Sequence, residues 1–257
     1  MPVTNSNTPR HNVTSLKYGL VALVLASFVS CATVTTITVD DPMMSVPGNS
    51  AEGERADSRY LVFVGANPYR FVEDSPGMAR QEPVGLVMSR GNVTAQPEPP
   101  YWAIGGSGDR DLQIFPQAQI PPELRWGVGG FYPLLLDGHN VAEQFPGRYI
   151  RAARVAVAWQ TTGAPYPEDV TIVVSTGSMP WYRGLTTGEL ATFLQEMGMT
   201  YALNMDGGRA SAVYIGSPNE ADRIPRNIFA TPPGPVFLKL SGADGASLRV
   251  QARVIHR

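Results

Sequence analysis

Apolar runs of strand length dominate this chain, and a single stretch spaces its apolar residues as a helix does. "YLVFVGA" (60–66), "PVGLVMSRGNV" (83–93), "FYPLLLDGHNV" (131–141), "RVAVAWQTTG" (154–163) and "DVTIVVSTG" (169–177) each hold a short apolar run stopped by Gly, Pro, Asn or Asp. Runs of this length with such boundaries read as strands. "YWAIGGSGDRDLQIF" (101–115) reads as two strands around a Gly-rich turn; it lacks the G-x-G-x-x-G spacing of a dinucleotide loop. Asp137-Gly138 and Arg90-Gly91 mark hairpins. With 26 Gly and 23 Pro in 257 residues, turns are frequent and elements short.

The exception is "GLTTGELATFLQEMG" (184–198). Leu190, Phe193, Leu194 and Met197 fall on one helical face. Thr186 and Glu189 have capping-box spacing, and Gly198 fits the stop. "TYALNM" and "SAVYI" follow as strands, and "VFLKL" and "LRVQARVI" read as edge strands near the end. The pattern predicts an α+β fold: a mostly antiparallel sheet with a few packed helices, in one domain over 59–257.

The first 58 residues differ. Residues 1–17 are polar and basic without an acid, and "YGLVALVLASFVS" then supplies an apolar run of 13 residues. A membrane span needs about 20, so residues 1–30 read as a secretory signal. Cys31, the only cysteine, follows directly and resembles the lipidated cysteine of bacterial lipoproteins. Residues 31–58 have the small and polar composition of a disordered tether. The expected location is the exported face of a bacterial membrane, periplasmic or at the cell surface, anchored through Cys31. A net charge of -2 gives no basic field, which argues against a nucleic-acid partner.

Asp206-Gly207-Gly208, in "YALNMDGGRASAVYI", sets a carboxylate and consecutive N–H groups at a strand's end. Glycines let a backbone approach a ligand, and successive N–H groups make an anion nest. On composition alone the stretch reads as a hairpin turn. "GLTTGELATFLQEMGMTYALNMDGGRASAVYI" as a whole resembles the phosphodiester glycosidase family, which includes bacterial proteins associated with exopolysaccharide. "GVGGFYPLLLDGHN", "RAARVAVAW" and "GANPYRF" resemble its earlier segments more loosely. The chain departs from the pattern at Arg209, where a third Gly is usual, and near Ala158.

The resemblance implies hydrolysis of a sugar-1-phosphodiester at the glycosidic C–O bond. Glycosidases meet the oxocarbenium-like transition state with carboxyl groups. A phosphate leaving group needs its charge stabilised, by arginine or amide N–H groups, more than it needs a proton. Asp206 and Arg154 are therefore the expected catalytic pair, with Glu189 a second acid whose competing role is the helix cap. Arg151 and Arg154 are an odd step apart, so a regular strand points them to opposite faces. Asn67, Asn204, Gly207, Gly208, Arg209, Ser211 and Thr186 are the expected substrate-binding positions. Three histidines and one cysteine offer no metal cluster; no cofactor is expected, and an oxygen-ligand ion such as Ca²⁺ is left open. Trp102, Trp126, Trp159 and Trp181 suit either the core or a sugar face. The alternative reading is a non-catalytic glycan-binding envelope lipoprotein on the same fold, which Arg209 keeps open.

Overall fold

The computed structural model describes residues 31–46, 62–75, 77–163, 166–177, 184–208, 211–215, 224, 236–242 and 247–256. In chain order the strands are β1 (Cys31–Asp40), β2 (Pro42–Ser45), β3 (Val62–Gly65), β4 (Tyr69–Ser75), β5 (Met78–Pro83), β6 (Val87–Ser89), β7 (Asn92–Ala95), β8 (Trp102–Gly106) and β9 (Gln113–Pro116). Then come β10 (Trp126–Gly129), β11 (Pro133–Leu136), β12 (His139–Asn140), β13 (Arg154–Trp159), β14 (Asp169–Gly177), β15 (Tyr201–Asn204), β16 (Val213–Ile215), β17 (Phe237–Gly242) and β18 (Leu248–His256). Helix α1 (Thr187–Glu196) lies between β14 and β15, and a short 3₁₀ turn spans Ala142–Gln144.

The central sheet has seven strands in the order β12-β11-β15-β13-β14-β1-β18. A five-stranded sheet (β7-β6-β10-β8-β9), a four-stranded sheet (β16-β3-β17-β2) and the β4-β5 hairpin complete the fold. Every strand pairing is antiparallel. The α+β expectation is corrected: this is a mostly antiparallel β protein in several sheets, with α1 the one α-helix among the described residues. The physical reason is the absence of a second run of 3.6-residue periodicity. The other apolar runs are too short for a helix and find sheet partners instead.

Alternation along β13 separates two cores. Val155, Val157 and Trp159 join the larger core, with residues of the four- and five-stranded sheets such as Val64, Leu238, Ile104 and Val128. Ala156 and Ala158 face the other way, against Leu190, Ala191 and Leu194 of α1. Small residues on that face leave room for the helix.

Two further expectations are corrected. Residues 31–45, expected in a tether, form β1 and β2. β1 lies between β14 and β18, with Ile37 opposite Ile172 on one side and Val250 on the other. Val34, Ile37 and Val39 are buried. "CATVTTITVD" interleaves Val and Ile with Thr, Val34 packing on the α1 side and Ile37 and Val39 in the larger core, and this β-branched content outweighs its low bulk. "VFLKL" forms β17, which is interior to its sheet and not an edge; β18 is an edge, as expected.

If β1 is part of the fold, a chain beginning at residue 60 fails to unfold cooperatively in urea, whereas one beginning at residue 31 does. Ile37→Ala in the longer chain lowers stability by about 2–5 kcal/mol, the usual range for emptying a buried isoleucine site.

Candidate active site

The stretch from Tyr201 to Ile215 is not a hairpin. β15 belongs to the seven-stranded sheet and β16 to the four-stranded sheet, where it pairs with β3. The chain leaves one sheet after Asn204 and enters the other at Val213, and backbone bonds fix the first part of the crossing, Met205 to Gly208. Met205 N–H donates to Val155 O (2.8 Å), Asp206 N–H to Ala66 O (2.9 Å) and Gly208 N–H to Ala153 O (2.7 Å). A Cβ on Gly207 would lie 3.0 Å from Ala153 O, and Gly208 has φ +66°. One glycine thus permits a close backbone approach and the other a left-handed turn. Ser211 Oγ donates to Gly208 O (3.0 Å) and pins the far side of the turn.

This crossing gathers Asn67, at the end of β3, Arg154, at the start of β13, and Asn204, at the end of β15. Asn67 is fully buried; its Nδ2 donates to Val84 O (3.2 Å) and Leu86 O (3.0 Å). Asn204 and Asp206 are also buried. The Oδ1 atoms of Asn67 and Asn204 accept no hydrogen bond among the described residues. Buried amide oxygens are rarely left this way, and a water or ligand donor is the usual answer.

The glycines of "GVGGF" make the gathering possible. A Cβ on Gly129 would sit 2.7 Å from Asn67 Nδ2 and 2.9 Å from Gln117 Nε2. One on Gly130 would sit 2.9 Å from Asn204 O. Gln117 is itself buried and ties three loops together, accepting from Leu86 N–H (2.8 Å) and Glu98 N–H (2.9 Å) and donating to Trp102 O (3.0 Å).

A cavity of about 280 Å³ opens beside Asn204. Arg154, Thr187 and Asn204 supply polar groups to its lining, and Tyr101, Phe131, Tyr132 and Phe145 supply an aromatic wall. Tyr132 and Phe145 stack at 4.9 Å between ring centroids. Burial raises the Tyr132 hydroxyl above the ordinary tyrosine value, so it stays a neutral donor and acceptor. Arg154 points its guanidinium at backbone carbonyls, with Nη2 2.6 Å from Ile150 O and Nε 3.3 Å from Leu185 O. It makes no ion pair among the described residues. Burial lowers its pKa from the usual arginine value, yet a guanidinium stays charged in proteins. The result is a half-buried cation beside a cavity with no carboxylate neutralising it.

Arg151 has a different task. Its Nη1 donates to Glu189 Oε2 (2.9 Å), and the pair is two-pronged. Glu189 Oε2 also accepts from Thr186 N–H (3.0 Å), while Thr186 Oγ1 accepts from Glu189 N–H (3.1 Å), closing the capping box. Glu189 and Thr186 therefore hold the start of α1, and the next residue, Thr187, reaches the cavity. Asp206 is not among the residues lining the cavity; it lies two residues beyond Asn204, which is. Arg209 and Trp181 lie outside the described residues. Trp126 and Trp159 are core, and Trp102 packs edge-on against Phe145 at 6.2 Å. The aromatic wall, Thr187 and Gln117 were not legible as site residues; the "FYP" of "GVGGFYP" was the available signal. No group of three or more His, Cys, Asp or Glu suited to a metal occurs among the described residues.

Arg154, without an ion pair among the described residues, Asn204 and the aromatic wall thus share one cavity, while Asn67 is not among the residues lining it. The chain belongs to the phosphodiester glycosidase family, whose model matches residues 62–231, a span that includes Asn67, Arg154, Asn204 and Asp206. The family's description is that of a glycosidase-type hydrolase. No curated protein matches the sequence significantly. Among solved structures, a hypothetical protein from Synechocystis is 18% identical with a TM-score of 0.54, over 82% of this chain and 59% of that one. This chain thus spans less than two thirds of that neighbour. The catalytic domain of zebrafish N-acetylglucosamine-1-phosphodiester alpha-N-acetylglucosaminidase, auto-inhibited by its pro-peptide, is 14% identical with a TM-score of 0.54, over 95% and 97% of the two chains. An exported protein from Burkholderia pseudomallei is 12% identical with a TM-score of 0.53, over 81% and 73%. At these identities the likeness is one of fold.

Gly129→Ala forces a methyl group against two buried amides and is expected to cost about 1–3 kcal/mol, read as a lower urea midpoint at unchanged slope. Thr186→Ala removes the cap and is expected to cost about 1 kcal/mol.

Proposed function

We propose that this protein hydrolyses a sugar-1-phosphodiester of envelope or extracellular glycan, at the bond between the anomeric carbon and the phosphate oxygen. The observation that carries the reading is Arg154, a half-buried cation with no acid partner among the described residues, on the wall of a cavity that it shares with Asn204 and four aromatic rings. In this reading the phosphate lies on Arg154 and the sugar lies against the aromatic wall. The open Oδ1 of Asn204 accepts from a sugar hydroxyl. Water attacks the anomeric carbon, and the phosphate leaves with the bonding electrons as a monoester whose charge Arg154 stabilises. Asp206, buried two residues beyond Asn204 and not itself on the cavity lining, is the carboxylate this reading assigns to take the proton of the attacking water. Glu189 is left to the helix cap.

The zebrafish neighbour's title names an N-acetylglucosamine-1-phosphodiester, and this is the first substrate to try. The expected result is turnover in ¹⁸O-water with label in the sugar. Asp206→Asn abolishes turnover, and Arg154→Ala lowers kcat by about 10²–10³-fold, the usual cost of losing one charge-stabilising donor. Label in the phosphate would overturn the bond assignment. Glycan binding without turnover would favour a non-catalytic glycan-binding protein.

We further propose export and membrane anchoring through Cys31, on the basic, apolar and cysteine pattern of residues 1–31. Cys31 begins β1, so an acyl group there would leave almost no spacer between lipid and sheet. A clickable fatty acid fed to cells making the full chain should label it, and Cys31→Ser should remove the label.

A further inference from the structure

Beyond the cavity, the chain from Phe145 to Ile150 forms a rim. Pro146, Gly147 and Ile150 join the cavity lining. Tyr149 is 74% exposed and Ile150 63% exposed, among the most exposed large apolar side chains described. Such residues need a reason when they sit together at the mouth of a cavity.

The rim is a built feature. Ile150 N–H donates to Gly147 O (2.9 Å), closing a turn in which Gly147 has φ +78°. Ile150 O accepts from Arg154 Nη2 at 2.6 Å, so the rim is latched to the cavity's own cation. The Arg148 guanidinium carbon lies 4.7 Å from the centre of the Tyr149 ring, and Arg148 Nη1 donates to Glu143 O (2.6 Å). The Tyr149 ring is thus braced by a stacked cation that is itself anchored.

Resting on the reading that Arg154 takes the phosphate, we propose that Tyr149 and Ile150 form a subsite for the group esterified on the far side of that phosphate. The geometry points to a cyclic aglycone, one that presents a ring face to Tyr149. A phosphodiester joins two groups. The cavity holds one, Arg154 holds the phosphate, and the second group must leave past the residue whose carbonyl touches Arg154. That residue is Ile150, and Tyr149 adjoins it. A ring gains stacking there; a methyl group gains nothing.

The test is calorimetric binding to the full chain of two N-acetylglucosamine-1-phosphodiesters that differ only in the aglycone, methyl or benzyl, under conditions where turnover is followed separately. Wild type should bind the benzyl ester about five- to tenfold more tightly, the usual worth of one aromatic contact. Tyr149→Ala should erase that preference and leave methyl-ester affinity within about twofold, while Tyr149→Phe should retain the preference. Equal affinity of the two esters for wild type, or a preference that survives Tyr149→Ala, would overturn the subsite. Because binding is the readout, absent turnover with a Tyr149-dependent preference would sink the hydrolase reading and leave the subsite standing. Failure of both esters to bind would sink both.

Discussion

The alternation of β13 is the constraint on which the site depends. Its odd-numbered residues enter the core between the sheets, and its even-numbered residues face α1. The even row is Arg154, Ala156, Ala158. Two alanines bring the helix close to the sheet. Arg154 is the first of the row, beyond the alanines, where the helix begins. It therefore reaches the cavity at the level of Thr187, opposite the end of β15, where Asn204 pairs with Ala156. A one-residue slip in the β13–β14 register would bury Arg154 among valines. The six-residue match between β13 and β14 prevents this, because each strand has its own buried face to satisfy.

Much of this was legible in the sequence. The β6–β7, β8–β9 and β11–β12 hairpins sit where Arg90-Gly91, "GGSGDR" and Asp137-Gly138 mark their turns. The single helix, its cap and its apolar face follow from local spacing. These features depend on residues within a few positions of each other. The odd step between Arg151 and Arg154 does not part them by strand face: β13 begins only at Arg154, and the two side chains reach the neighbouring carbonyls of Gly184 and Leu185.

What the sequence did not disclose depends on distant partners. Asp206-Gly207-Gly208 has the composition of a turn, and nothing local tells a turn within one sheet from a passage between two. The difference lies in Ala153 and Ala66, the carbonyls that receive its N–H groups from elsewhere in the chain. The same holds for Gly129 and Gly130, whose missing side chains have meaning only once Asn67 and Asn204 arrive beside them. The first strand was misjudged for a related reason. Its threonines look like tether until β14 and β18 flank them, with Val34 packed on the α1 side and Ile37 and Val39 in the core between the sheets.

The position of that first strand sets an order of events during synthesis. Cys31 pairs with His256, more than two hundred residues later, and every residue from Ala32 to Val39 is flanked by strands made long after it. Contacts of such long sequence separation slow folding. The opening strand therefore lacks its first partner until β14 has been made and its second until β18 has been made. A chain built this way can form its local hairpins early but completes the central sheet only when the nine residues Leu248–His256 arrive, which makes the last strand the clasp on the first.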